Sequence, residues 1–160
     1  MPRTQALLTS RPMQVRPADP KDAATLAAAN VALARESEGL ALDPARAAEG
    51  ARAVLADPTR GRYFVAESGS ELLGQLLITP EWSDWRAVWT WWIQSVYVAP
   101  PHRGRGVYRA LHQHVVDEAR RHGVFCLKLY VDRDNERAME AYRAVGMRAS
   151  HYELWEQELA

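Results

Sequence analysis

One segment limits the folds open to this chain more than any other: Trp92 to Gly106, WIQSVYVAPPHRGRG, followed by VYRALHQHVVDEARRHG. An apolar stretch with strand character meets Pro100-Pro101, passes through an Arg/Gly loop and enters a helix. Val107, Ala110, Leu111, Val115 and Ala119 fall on one helical face, and Gly123 ends the helix. Val124 to Val131 then reads as a second buried strand. Strand, helix, strand in this order predicts a right-handed parallel crossover, and so an α/β fold. At the loop, backbone N–H groups at a glycine-lined helix start, with arginines close by, form a receptor for phosphate.

The flanking sequence extends this unit. Met13 to Arg16 alternates as a short first strand ended by Pro17, and Asp19-Pro20 opens a helix striped by Ala23, Leu26, Ala27, Val31 and Ala34. Asp43 before Pro44 is an N-cap and first-turn pair for a second helix, striped by Ala47, Ala48, Ala51, Val54 and Leu55. Arg62 to Glu67 and Glu71 to Thr79 flank Ser68-Gly69-Ser70 as a hairpin, and a Trp-bearing loop leads to a long strand, Val88 to Val98. Asp134 is expected to cap a helix with Ala138, Ala141, Tyr142 and Val145 inward, closed by Gly146. A last strand is expected over about His151 to Gln157. The predicted order is β-α-α-β-β-β-α-β-α-β, a single-domain α/β protein with a mixed sheet over residues 13–160, preceded by a flexible tail over residues 1–12.

Composition narrows the function classes. With 160 residues, about half of them hydrophobic, the chain can bury a full core as one domain. Twenty basic and twenty acidic residues cancel, so nucleic acid and anionic membrane are not expected as main partners. No apolar run reaches the roughly 20 residues needed to span a bilayer, and the first dozen residues lack a signal-peptide core; the expected location is the cytoplasm. Cys126, the one cysteine, excludes an intrachain disulfide and reads as a small buried hydrophobe. Zinc-ligand spacings are absent, and no metal is expected.

The Arg/Gly loop departs from a dinucleotide fingerprint at Arg109 and lacks the pattern of a P-loop. It resembles the acyl-CoA loop of the GCN5-related N-acetyltransferase family, [QR]-x-x-G-x-[GA], across Arg103, Gly104, Arg105, Gly106, Val107 and Tyr108. Tyr108 stands where the family has a small residue, and it is expected to point outward. A second segment, Asn135-x-x-Ala138-x-x-x-Tyr142-x-x-x-Gly146-Met147, resembles the family's N-x-x-A-x-x-x-Y-x-x-x-G-[FM]. The resemblance is detailed from Trp92 to Met147 and rests on element order alone before Thr79. It implies a fold of the acyl-CoA N-acyltransferase type, with acetyl-CoA as co-substrate.

The resemblance also implies roles. The loop amides hold the pyrophosphate, with charge added by Arg103 or Arg105, and the backbone of Val96, Tyr97 and Val98 pairs with the pantetheine arm where two strands splay. Asn135 and Ala138 lie beside that gap. Tyr142 protonates the leaving thiolate, a mildly uphill transfer with a thiol near 8.5 and a tyrosine near 10; helical periodicity alone makes it a core residue. Some relatives carry a glutamate five residues before the Asn, and Tyr130 stands there. The remaining candidates for a proton acceptor are Glu36 and Glu38 between the first helices, then Glu81 and Asp84, each more readily read as a solvated loop acid. All five histidines are expected at solvated positions. Trp92 is expected in the core, while the other tryptophans suit a core, an acceptor pocket or a homodimer surface. The functions implied are acetylation of a small primary amine by direct attack in a ternary complex, acetylation of a protein or peptide amine, or acyl-CoA binding without catalysis.

Overall fold

The computed structural model describes residues 12–159, so the expected tail lies, apart from Pro12, outside the described residues. The strands are β1 (Gln14–Pro17), β2 (Arg62–Ser68), β3 (Glu71–Ser83), β4 (Val88–Val98) and β5 (Leu127–Lys128). The helices are α1 (Ala23–Glu38), α2 (Pro44–Ala56), α3 (Val107–Arg121) and α4 (Glu136–Ala144), with short 3₁₀ turns at Pro20–Asp22 and Pro100–His102. The sheet runs β1-β2-β3-β4-β5. Its first four strands are antiparallel neighbours, and β5 lies parallel to β4. The α/β class and mixed sheet are thus as expected.

Alternation along the strands assigns the two faces. Phe64, Ala66, Leu76, Ile78, Trp91 and Ile93 pack against Val107, Leu111, Val115 and Ala119 of α3. Tyr63 and Val65 turn to the opposite face, with Leu26 and Ala27 of α1 and Ala51 of α2. The α1 layer is fixed there by a polar chain: Gln75 Nε2 donates to Asn30 Oδ1 at 2.7 Å, and Asn30 Nδ2 donates to the Tyr63 hydroxyl at 2.9 Å. In this chain of three the polar groups find partners across the layers, which favours one register of α1 on the sheet.

Three elements depart from expectation. β3 continues to Ser83 and takes in most of the Trp-bearing loop, because Pro80 to Ser83 pair with Val88 to Trp91 of β4. β5 is two residues long instead of eight, since past Lys128 no strand lies beside it. The last strand does not form: residues 151–159 are irregular and exposed, with Trp155 87% accessible. An alternating pattern becomes a strand only where a neighbour supplies hydrogen bonds, and so short a β5 offers no edge for it.

The N-terminal edge is tied by charge. Arg16 of β1 donates to both oxygens of Asp22, at 2.7 and 3.1 Å, and to Glu67 of β2 at 2.9 Å. Burial alone would raise the Asp22 carboxyl, but the Arg16 guanidinium, the Asp19 amide and Lys21 together outweigh it and the net shift is downward. A carboxyl whose pKa is lowered on folding stabilises above its unfolded value and loses that contribution as pH falls through its folded one. Arg16→Leu would leave Asp22 buried without its counter-ion. We predict a loss of about 3 kcal/mol in urea unfolding at neutral pH, and in the parent protein a decline in stability confined to pH below about 4.

Candidate active site

The site is built where β4 parts from β5. Only Trp91 and Trp92 pair with the parallel neighbour, at Leu127 and Lys128. From Ile93 to Val98, about 16 Å at roughly 3.3 Å per residue, that edge of β4 has no strand beside it. A register shift against β3, where Leu77 and Ile78 face Ser95 and Ile93, leaves Gln94 as the extra residue. Such a bulge bends its strand and ends pairing, which accounts for the divergence at this point. The Ser95 hydroxyl beside the bulge is buried and has no hydrogen-bond partner among the described residues.

At the far end of the gap the chain turns through Pro100–His102 into the Arg/Gly loop. Gly104 and Gly106 both have left-handed backbones, with φ of 73° and 80°, which only glycine adopts without strain. Gly106 is the N-cap of α3 and offers no side chain, so the first-turn amides are left for an outside acceptor. A Cβ at either glycine would meet nothing within 4 Å, so the outer side of the loop is open. Arg105 is exposed and forms no ion pair among the described residues. The loop therefore fits a phosphate-bearing carrier, and the free β4 edge leads from it to the bulge.

Arg103 has a different place from the one expected. Its Nη2 donates to Glu36 Oε2 at 2.5 Å, its Nε donates to the Val98 carbonyl at 2.8 Å, and its guanidinium lies 5.5 Å from the centre of the Tyr97 ring. Tyr97 also donates its hydroxyl to Glu36 Oε1 at 3.2 Å. Arg103 thus pins the loop to the end of β4 and to α1. Glu36, held by the Arg103 guanidinium below the usual carboxylate range, is poorly suited to accept a proton. Glu38 ends α1, exposed and without an ion pair among the described residues. The side chains of Val96 and Val98 pack against the α3-side core, leaving their backbone as the part that can face a ligand.

On the other bank stands α4. Its N-cap is Asn135 rather than Asp134: Asn135 Oδ1 accepts from the Ala138 amide at 3.1 Å, because capping needs a side-chain oxygen directly before the first helical residue. Tyr142 lies half-buried, and burial raises its hydroxyl above the usual tyrosine value. Its ring meets Tyr108 edge-on, centroids 5.7 Å apart. Tyr108 therefore does not point outward as expected. It packs on the α3-side core and also contacts the His112 ring at 5.8 Å, because an aromatic ring in the first turn of α3 gains more by burial than by solvent exposure.

Two other expectations are corrected. His112 is buried, at 7% exposure, and burial lowers its pKa, so it is a neutral core residue. Trp91, not Trp92, is the buried indole; Trp92 lies on the opposite face, where its Nε1 donates to Glu81 Oε2 at 2.5 Å. Lys128 Nζ donates to the same oxygen at 2.9 Å. This grouping had no signal in the sequence, since it depends on the register that brings β3, β4 and β5 together. Cys126 is half-buried just before β5. No group of side chains among the described residues suits a metal ion, and no helix is long and apolar enough to cross a membrane.

A parallel pair that parts after two rungs, a glycine-turned helix start and a tyrosine that contacts the first turn of that helix make up the candidate site. Residues 31–147 match the acetyltransferase (GNAT) family, and the chain belongs to it. A streptothricin acetyltransferase from Streptomyces lavendulae is 38% identical over 86 residues, 53% of this chain and 43% of that protein. The chain thus spans less than half of that relative's length. A possible acetyltransferase from Clostridium difficile 630 superposes with a TM-score of 0.87 at 32% identity, covering 92% of this chain and 98% of that one. The aminoglycoside N-acetyltransferase AAC(6')-Iy in complex with CoA, 12% identical, shares the fold with a TM-score of 0.76, over 97% of this chain and all of that one.

The inward Tyr108 makes a prediction about the free protein. Its hydroxyl is buried with no hydrogen-bond partner among the described residues, an arrangement that costs stability. Tyr108→Phe should raise unfolding stability by about 1 kcal/mol, whereas Tyr108→Ala should lower it by about 3 kcal/mol through the cavity left against the core. Chemical denaturation of the two variants checks both signs.

Proposed function

We propose that this protein transfers the acetyl group of acetyl-CoA to a primary amine of a small molecule, by direct attack while both reactants are bound. The observation that carries this reading is the unpaired edge of β4 from Ile93 to Val98, which runs to an uncapped α3 N-terminus whose first turn meets the half-buried Tyr142 through Tyr108. The amides at Gly106 and Val107, with Arg105, hold the pyrophosphate, while the backbone of Val96 and Tyr97 pairs with the pantetheine arm as an added strand would. Asn135 and Ala138 position the start of α4 on the facing side. Acetyl-CoA supplies an activated thioester carbonyl.

Tyr142 acts as the acid. The nitrogen lone pair forms the new N–C bond, the C–S bond breaks, and the departing sulfur takes the Tyr142 proton. The nitrogen gives up one proton to water and the Tyr142 phenolate regains one from water, so none is gained or lost overall. Burial keeps Tyr142 protonated across the neutral range, which is the form this step needs. Glu36 is not assigned the opposite role, because both its oxygens are occupied; the amine proton leaves to water. The relative named for streptothricin acetylation supports a small-molecule acceptor.

Calorimetric titration with acetyl-CoA, followed by a screen of small amines, tests the reading. Binding without acetylation of any amine would instead make the protein a carrier-binding module, and no binding would end the proposal. Tyr142→Phe should lower kcat by about 10²-fold with little change in the KM for acetyl-CoA. The kcat–pH profile of the parent should show no downward limb below pH 10, since burial moves Tyr142 above that ordinary value.

A further inference from the structure

On the face of the sheet that carries α1 and α2, a polar group stands at the closed end of the gap. Thr79 and Glu81 of β3, Thr90 and Trp92 of β4, and Lys128 of β5 all lie on that face, as the register Glu81↔Thr90, Thr79↔Trp92 and Trp92↔Lys128 requires. Three donors converge on one carboxylate oxygen. Glu81 Oε2 accepts from Trp92 Nε1 at 2.5 Å, from Lys128 Nζ at 2.9 Å and from the Thr90 hydroxyl at 3.2 Å. Its other oxygen, Oε1, accepts nothing among the described residues. Lys128 Nζ also stands 5.3 Å from the centre of the Trp92 ring, and Tyr130 closes the far side at 6.3 Å from that ring.

The group is therefore a working receptor for an ammonium ion: a carboxylate held from behind, with an aromatic face alongside. Its present guest is Lys128 of the same chain. Its location matters as much as its composition. Trp92 and Lys128 form the last paired rung before β4 and β5 part, at the end opposite the Arg/Gly loop, and Glu81 bonds to both of them.

We propose that Glu81, with Trp92, anchors a second, non-reacting ammonium group of the acceptor, so that the acceptor class is a diamine or oligoamine. This rests on the acetyltransferase reading above and specifies its substrate. The Lys128 ammonium holds the Glu81 carboxyl below its ordinary value, so Glu81 stays ionised and serves as an anchor rather than a proton acceptor. A monoamine held there would remain a cation and could not attack. A molecule with two amino groups can leave one on Glu81 and present the other, neutral, to the carbonyl.

The test uses the full chain with diaminobutane and butylamine as probes, in the presence of CoA. Binding is followed through the Trp92 indole N–H resonance, assigned with Trp92→Phe, and turnover through acetyl-CoA consumption. Diaminobutane should bind about tenfold more tightly than butylamine. Glu81→Gln should abolish that preference, raising KM for the diamine far more than it changes kcat. Lys128→Met removes the internal guest and should tighten diamine binding severalfold. Opposite signs in the two variants exclude a merely structural ion pair, which would be weakened by either change. Equal binding of both probes, or a diamine preference that survives Glu81→Gln, overturns the proposal. Diamine binding at Trp92 with no turnover of any amine would leave the anchor standing and sink the acetyltransferase reading instead.

Discussion

The parting of β4 from β5 after two rungs is the constraint on which the rest of the molecule depends. Backbone amides and carbonyls in mid-sheet normally satisfy one another, and leaving six residues of an inner strand unpaired on one side is tolerable only at a surface that water or a ligand reaches. The Gln94 bulge starts the divergence and the Arg103 tie finishes it, by holding the end of β4 to α1 through Glu36 and Tyr97. α3 supports this strand from the other face through Val96, Val98 and Val107. Thus the strand is held by α3 on one face, by the Tyr97–Glu36 bond on the other and by β3 along one edge, and its second edge is open.

Two carboxylates flank this strand, and each is held ionised by a cation from another element. Glu36 has both oxygens consumed, one by Tyr97 and one by Arg103, so its place is structural. Glu81 concentrates three donors on Oε2 and leaves Oε1 open. The same pairing chemistry therefore yields a clasp at one end of the gap and a receptor at the other. Neither arrangement suits proton acceptance, because a carboxylate stabilised by a cation is a weaker base. Tyr142 differs from both: it has no ion partner among the described residues, and burial raises its hydroxyl.

Much of this was legible before any coordinates. Val88 to Val98 has the length and apolar content of an inner strand, and it forms with those bounds. The stripe from Val107 to Ala119 buries as its spacing requires, and the left-handed glycines fall where Gly104 and Gly106 interrupt the arginines. What escaped were properties of register. Which of Trp91 and Trp92 is buried turns on one residue of phase in the strand, and a one-residue error exchanges the faces. Glu81 and Lys128 are distant in sequence and become neighbours only when β3, β4 and β5 align. The final strand failed for a similar reason, since local alternation says nothing about whether a partner edge exists.

Tyr108 shows how a departure from a family's usual residue is absorbed. A small residue at the first turn of α3 leaves room beside the loop; a tyrosine there must fill space somewhere. Turning outward would crowd the glycine-lined approach, whereas turning inward places the ring against His112 and the α3-side core. The inward ring then reaches across to Tyr142, so α3 and α4 touch through an edge-on contact. α4 buries no residue completely, and this contact is one that joins it to the rest of the fold. The bulky residue thereby couples the carrier loop to the position of Tyr142, a link that a glycine or alanine at that position could not make.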